Sequence, residues 1–457
     1  MLISNIISIN FAKQFFSSGN ERTLRAKKNI VVSFVCKGAS ILISFVIVPL
    51  TLGYVGKVEY GIWMTISSII TWFSFFDIGL GNGLRNKLAE ALALNDTRTA
   101  KIYISSAFTI ILGITILMFI AFYIAARFIL WNKVLNTNIV SNQELYSVVL
   151  MVFFFFCIGF VLKLLSSILQ AMQRYALNDI LALIAQLFGL GAMYILVKTT
   201  KGSLFSLCLV YSSQTTIVML FAAIVMFLSS LKEYRPSIRF IQLKKALPLL
   251  NLGIKFFIGQ ILYLIVNQTS VILVVQFFGP ADVTVFNLAV RYMSVTSMLY
   301  MMVLTPFLSA FTEAYTKMEY TWIRVTIQRI NMIWMFTSLV TLALVFCYRI
   351  FFKLWVGNAV IIPVALIISL AFLNILTMLN GTYSLFLNGI GKITLQLYLV
   401  GIQAFLFFPL SYLFYKLGFG LVSIVSVQII FSSALLYFMI KQYNKIINQT
   451  AEGIWIK

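Results

Sequence analysis

Twelve apolar stretches follow one another along the chain, each long enough to cross a bilayer as a helix. They lie near 29–52, 60–83, 101–128, 146–171, 177–198, 203–230, 248–278, 283–310, 327–350, 359–386, 393–415 and 418–440. A helix needs about 20 apolar residues to span hydrocarbon. Inside hydrocarbon every backbone polar group must find a partner in its own segment, so such runs fold as helices. Of the 457 residues 61% are hydrophobic and 10% charged, where soluble domains carry about 25% charge. The pattern predicts an all-α integral membrane protein with about 12 transmembrane helices.

The charge distribution sets the orientation. With the N-terminus in the cytoplasm, 22 of the 34 Lys and Arg residues fall in cytoplasmic segments, eight in outer loops and four within spans. That asymmetry follows the positive-inside rule and predicts that both termini are cytoplasmic. The same placement explains the net charge of +22 without nucleic acid as a partner. The basic loop at 231–247, with Pro236, divides the chain in two. Predicted boundaries are 1–28 for a cytoplasmic or surface-lying N-terminal segment, 29–230 for an N-lobe and 248–440 for a C-lobe, each of six helices. The linker occupies 231–247 and a cytoplasmic tail 441–457.

The halves are weakly alike in three places taken in the same order. Gly53-Tyr-Val-Gly56 follows the first helix and Phe278-Gly279-Pro280 the seventh. Leu88-Ala-Glu90-Ala91 pairs with Phe311-Thr-Glu313-Ala314, and Leu169–Arg174 with Leu387–Lys392. An even number of helices per half predicts parallel repeats, related by an axis along the membrane normal, with a ligand site between them.

Much chemistry is absent. The chain has no histidine, which removes the commonest general base and metal ligand. The four cysteines, Cys36, Cys157, Cys208 and Cys347, lie in separate apolar runs, predict free, buried thiols and form no metal-ligand spacing. Gly389-Ile-Gly391-Lys392 lacks the upstream glycine of a P-loop. The outer loops are too short to house a catalytic domain. Neither an enzyme nor a resident cofactor or metal is expected.

Charges inside the spans carry the functional signal, because each costs about 2.5–3.5 kcal/mol to insert. They are Lys37, Asp77, Lys163, Asp179, Lys255 and Arg291. Lys163 reads as a side chain that snorkels to the interface. Asp179 reads as a carboxylate suited to a helix N-terminus. Lys37, Lys255 and Arg291 remain as candidate ligands, one on each of three helices shared between the halves. A cavity lined by them is net positive. Each cation near a phosphate contributes on the order of 4 kcal/mol at an effective dielectric of 20, before desolvation. Two or three would hold a pyrophosphate in hydrocarbon. Asp77 opens the run Asp77-Ile-Gly-Leu-Gly-Asn-Gly-Leu-Arg-Asn-Lys-Leu-Ala-Glu90, in which Gly79 and Gly83 form a GxxxG pair that lets helices approach. On one continuous helix the eight-residue step from Asp77 to Arg85 covers about 12 Å and puts both on one face, as a coupling acid above a cytoplasmic gate.

That run, and Pro49-Leu-Thr-Leu-Gly53-Tyr-Val-Gly56-Lys-Val-Glu-Tyr60-Gly61-Ile-Trp63 before it, resembles bacterial polysaccharide flippases. These are the O-antigen repeat-unit translocases (Wzx type) of the multidrug/oligosaccharidyl-lipid/polysaccharide exporter superfamily. The resemblance is specific over about residues 45–100. It implies a MATE-like fold of two six-helix lobes around a central cavity, in the bacterial cytoplasmic (inner) membrane. It implies an undecaprenyl-pyrophosphate-linked oligosaccharide as substrate, moved to the periplasmic leaflet by alternating access and held by cavity cations. It also implies coupling to a proton or sodium gradient, and contact with other glycan-assembly membrane proteins. Two other readings stand beside it: a cation-coupled multidrug exporter, disfavoured by the net positive spans, and a non-transporting scaffold for glycan assembly.

Overall fold

The computed structural model describes residues 21–77, 79–243, 254–305, 307–357 and 359–456. Among them the regular structure is helical. The first half holds α1 (Glu21–Thr71), α2 (Leu80–Ala93), α3 (Thr97–Ala126), α4 (Asn142–Ala171), α5 (Tyr175–Thr199) and α6 (Leu204–Leu228). The second holds α7 (Ile254–Phe278), α8 (Pro280–Leu304), α9 (Phe307–Thr316), α10 (Tyr320–Trp355), α11 (Val364–Gly389), α12 (Thr394–Lys416) and α13 (Val422–Ile447). Nine helices among the described residues are long and apolar enough to cross a membrane. Leu117, Phe346 and Phe405 are 70%, 85% and 81% exposed on them. An apolar surface of that extent belongs against lipid.

The 51 residues of α1 would reach about 77 Å as one rod, well over twice the hydrocarbon thickness. The chain reverses instead at Gly56 (φ 76°, ψ 175°). Thr51 and Trp63 flank that residue, and both meet Tyr211: Tyr211 Oη lies 2.8 Å from Thr51 Oγ1, and its ring 5.3 Å from the indole. The same backbone state recurs at Gly279 (φ 94°, ψ 172°) between α7 and α8. This region is essentially glycine-only because a Cβ clashes with the backbone there.

The other two sequence correspondences are geometric as well. Asn95 (φ 56°) and Met318 (φ 59°) end α2 and α9 in the left-handed state. Asp96 N–H donates to Ala91 O at 3.0 Å, and Glu319 N–H to Ala314 O at 2.8 Å. Gln173 (φ 59°) and Gly391 (φ 74°) close α4 and α11. Arg174 N–H reaches Leu169 O at 2.8 Å and Lys392 N–H reaches Leu387 O at 2.9 Å. Each is the six-residue closure of a Schellman cap. The lobes are therefore two copies of one helical plan.

Three apolar cores hold the molecule together. One lies toward the end bearing Gly56 and Gly279 and draws on both lobes, with Val48, Ile62 and Phe153 beside Val274, Phe286 and Phe407. The other two lie toward the basic end, and each belongs to one lobe. Leu80, Leu84, Ile104, Leu165 and Leu231 form the first; Tyr300, Phe311, Ile327, Phe386 and Tyr443 form the second. The lobes are fused at one end and separate at the other.

Some boundaries shift. The first helix already includes Glu21, ahead of the expected start at 29, and α13 continues to Ile447, beyond the expected end at 440. There Lys441 and Lys445 lie 5.6 and 4.8 Å from the Trp455 ring, and Gln442 donates to Trp455 O at 3.1 Å. The chain after α6 docks on α3, with Ser237 and Gln242 N–H donating to Ser105 and Ser106 Oγ at 3.1 and 2.9 Å. Residues 1–20, and 244–247 of the expected linker, lie outside the described residues. Cys36, Cys157 and Cys208 are buried free thiols, whereas Cys347 is exposed. The fourth cysteine was expected buried, and the helical phase of α10 turns it outward.

Nothing lies within 4 Å of a Cβ built on Gly56 or Gly279, so any cost of alanine there is backbone strain alone. Gly56→Ala and Gly279→Ala should each cost about 1–3 kcal/mol and lower the melting temperature in detergent. Gly38→Ala, equally uncrowded but without a positive φ, should leave it unchanged or raised.

Candidate functional site

Among the described residues, the hydrogen bonds across the seam between the lobes run from the glycine turns to about half the membrane depth. At the turn end, Thr284 Oγ1 donates to Lys57 O at 2.6 Å and Gln276 Nε2 to Val134 O at 2.7 Å. Gly61 faces Pro280 so closely that an added Cβ would meet its carbonyl oxygen at 1.7 Å. Deeper, Ser68 Oγ donates to Gln268 Oε1 at 2.8 Å and Arg291 Nη1 to Ser44 O at 3.0 Å. These four residues lie 11 or 12 positions from the nearer glycine turn, about 17 Å along a helix. That is roughly the middle of the bilayer. Arg291 is thus on the seam at about mid-membrane depth.

A proline explains why α1 offers carbonyls to the other lobe. Pro49 lies inside α1 and has no N–H, so the carbonyl four residues earlier, that of Phe45, loses its helical donor. Trp355 Nε1 of α10 donates to Phe45 O at 2.6 Å, and the indole packs 4.8 Å from the Phe45 ring. The neighbouring carbonyl, Ser44 O, takes the Arg291 guanidinium. That backbone defect supplies the acceptor for Trp355, one residue from the carbonyl that takes Arg291.

The other sequence candidates are dispersed. Lys37 is exposed on α1, two helical turns from Ser44 toward the basic end. Arg85 is half-buried, its Nη1 3.5 Å from Gln170 Oε1 of α4. The side chains of Lys255 and Asp77 lie outside what the structure describes. The expectation that Asp77 and Arg85 share one continuous helix face is corrected. Residues Trp72–Asp77 form a 3₁₀ turn and Gly79 is left-handed (φ 73°), serving as the N-cap of α2. Gly79 and Gly83 therefore do not form a pair inside one helix; their backbones meet as the first hydrogen bond of α2, Gly83 N–H to Gly79 O at 2.9 Å.

Lys163, exposed on α4, also lines a cavity of about 420 Å³ within the N-lobe, between the Trp63–Ser74 segment, α4 and α6. The walls carry Trp63, Phe155, Phe156 and Phe160 together with the hydroxyls of Ser67, Thr71, Ser74, Ser166, Tyr211, Ser212, Thr215 and Thr216. The sequence reading missed this site. Its signal was a stripe of hydroxyls at helical spacing, Ser67, Thr71 and Ser74, facing a second, Ser212, Thr215 and Thr216.

Two helical lobes in parallel repeat, with a shared core at one end and separate cores at the other, define a MATE-like fold. Solved structures agree. The chain aligns with an inward-facing multidrug resistance MATE transporter of the MOP superfamily at TM-score 0.64 and 16% identity, over 90% of this chain and 100% of that one. An outward-facing MATE transporter of the same superfamily gives 0.65 and 13% identity, over 93% and 96%. The two scores differ by too little to assign a conformation, so the direction of opening is read from the seam. Residues 26–312 match the model of a polysaccharide biosynthesis protein family, and the chain belongs to that family. It is also 23% identical, over 81% of its length and 85% of the relative's, to a Yersinia pseudotuberculosis protein provisionally named for O-antigen export.

If Pro49 is what frees Phe45 O, Trp355 and Pro49 are energetically coupled. Trp355→Phe should lower the melting temperature more in the native background than in Pro49→Ala, where the restored N–H reclaims the carbonyl. The coupling should be about 0.5–1.5 kcal/mol. Additive effects in the double-mutant cycle would show the two to be independent.

Proposed function

We propose that the protein is a flippase for an undecaprenyl-pyrophosphate-linked oligosaccharide of the O-antigen type, working by alternating access in the bacterial cytoplasmic membrane. The observation that carries this reading is the position of Arg291, a cation at mid-membrane depth bonded to a backbone carbonyl of the opposite lobe. Family membership and the O-antigen export relative support the choice of substrate.

In this reading the parted ends face the cytoplasm, as the basic loops indicate. The pyrophosphate enters the gap past Lys37 and Lys255 and reaches Arg291. A phosphate oxygen is a stronger acceptor for a guanidinium than a neutral carbonyl, because both partners are then charged. The cargo therefore draws Arg291 from Ser44 O and removes one of the bonds that fuse the lobes. Loss of that bond favours the opposite opening, since a ligand shifts a conformational balance only through differential contacts. Asp77 is the proposed coupling carboxylate for a proton or sodium gradient, and Arg85 a gate residue at the cytoplasmic mouth. A drug exporter for cations would want surplus carboxylate in the cavity, where the wall instead presents Lys163.

In a strain deleted for the gene, Arg291→Ala or Lys255→Ala should fail to restore surface glycan at normal membrane abundance, with lipid-linked saccharide stalled on the cytoplasmic leaflet. Normal display by both variants would sink the cationic clamp. Altered drug resistance with unchanged glycan would favour the exporter. Asp77→Asn and Arg85→Ala should reduce transport at normal expression; full transport in either would remove that residue from the coupling or gating role.

A further inference from the structure

Hydrogen-bond accounting in the N-lobe cavity points to a ligand that donates protons. A hydroxyl has one proton to give and two lone pairs to offer. Several cavity hydroxyls already give theirs to the protein. Thr71 Oγ1 donates to Ser67 O at 2.7 Å, Thr216 Oγ1 to Phe155 O at 3.2 Å, and Ser212 Oγ to Cys208 O. Thr51 Oγ1 donates to Ile47 O at 2.8 Å, which leaves Tyr211 as the donor in their mutual bond. These groups offer the cavity lone pairs. A phosphate, which only accepts, makes no use of those lone pairs. A metal cation would accept their lone pairs, but the Lys163 ammonium on the same wall repels it.

A sugar suits this wall. Its hydroxyls donate to the lone pairs and accept from the cationic Lys163. The C–H faces of its ring suit the aromatic surfaces of Trp63, Phe155, Phe156 and Phe160. The volume of about 420 Å³ lies within the usual range of small-ligand pockets, about 300–1,000 Å³. We propose that the cavity walled by Trp63, Thr71, Lys163, Ser212 and Thr216 is a saccharide subsite, which takes a neutral sugar of the cargo while its pyrophosphate is held elsewhere. This rests on the flippase reading. It adds that the N-lobe selects the glycan, and that the lobes divide the cargo between them.

The test compares two ligands on the full chain in lipid nanodiscs. One is bare undecaprenyl pyrophosphate; the other is the lipid-linked saccharide extracted from a strain lacking the gene. Native protein should bind both, the saccharide-bearing lipid more tightly. The double variant Thr71→Val, Thr216→Val keeps side-chain shape and removes two acceptors. It should weaken binding of the saccharide-bearing lipid by about tenfold and leave the bare lipid unchanged. Lys163→Gln, which keeps an N–H donor and loses the charge, should do less to the saccharide-bearing lipid than the double valine. Equal losses for both lipids would make the cavity a pyrophosphate site and overturn the inference alone, as would no loss for either. If native protein binds neither lipid, the flippase reading falls and the subsite with it.

Discussion

The apolar core that the two lobes share is confined to one end of the molecule. The proposed rocking of the lobes depends on that limit. The shared apolar core lies at the end of the glycine turns, and the two remaining cores each keep to one lobe. Helix pairs inside a lobe stay packed whichever way the lobes tilt. Across the seam, by contrast, the polar contacts are few and individually weak. A neutral hydrogen bond contributes about 0.5–1.5 kcal/mol net, and one to a charged group about 1.5–3. Beyond the shared apolar core, bonds of this size are within reach of a ligand's differential contacts.

Two backbone exceptions place those bonds. Glycine at 56 and 279 lets each lobe fold its first helix back on the next, which brings α1 and α8 side by side at the seam. Proline at 49 then strips a donor from α1, so that the Phe45 carbonyl, otherwise spent within the helix, becomes the acceptor for Trp355, one residue from the Ser44 carbonyl that takes Arg291. A helix without the proline would present a closed backbone there. The turn geometry comes twice because the plan is repeated; the proline comes once, so the lobes are not interchangeable at their meeting surface.

Much of this was legible in the sequence, for identifiable reasons. Apolar runs and the Lys and Arg bias reflect transfer energies that act residue by residue, so the helical membrane fold could be read directly. The repeat was visible only as faint resemblances at three turns. Those are the sites where backbone conformation restricts residue choice, while lipid-facing positions accept almost any apolar side chain. The break at Gly79 was hidden because a glycine series suits a packed helix and a helix start equally well. The bond from Trp355 to Phe45 gave no sign, since an indole in an apolar run looks like any other hydrophobe. The cavity beside Lys163 went unread because a lysine near a helix end ordinarily reaches for the interface. The hydroxyl stripes beside it were present at helical spacing, but serine and threonine in a span also bond their own backbone, and only the cavity separates the two meanings.

The claim that the lobes swing about a seam sealed at one end is tested most directly by a distance across the parted end. Glu90 and Glu313 are exposed and occupy equivalent places in the repeat, on α2 and α9. Spin labels there, in protein with its native thiols replaced, report the width of the gap by pulsed electron resonance in nanodiscs. The account predicts a long separation without ligand and a second, shorter population when the lipid-linked saccharide is added. A single distance that does not change with ligand would contradict it.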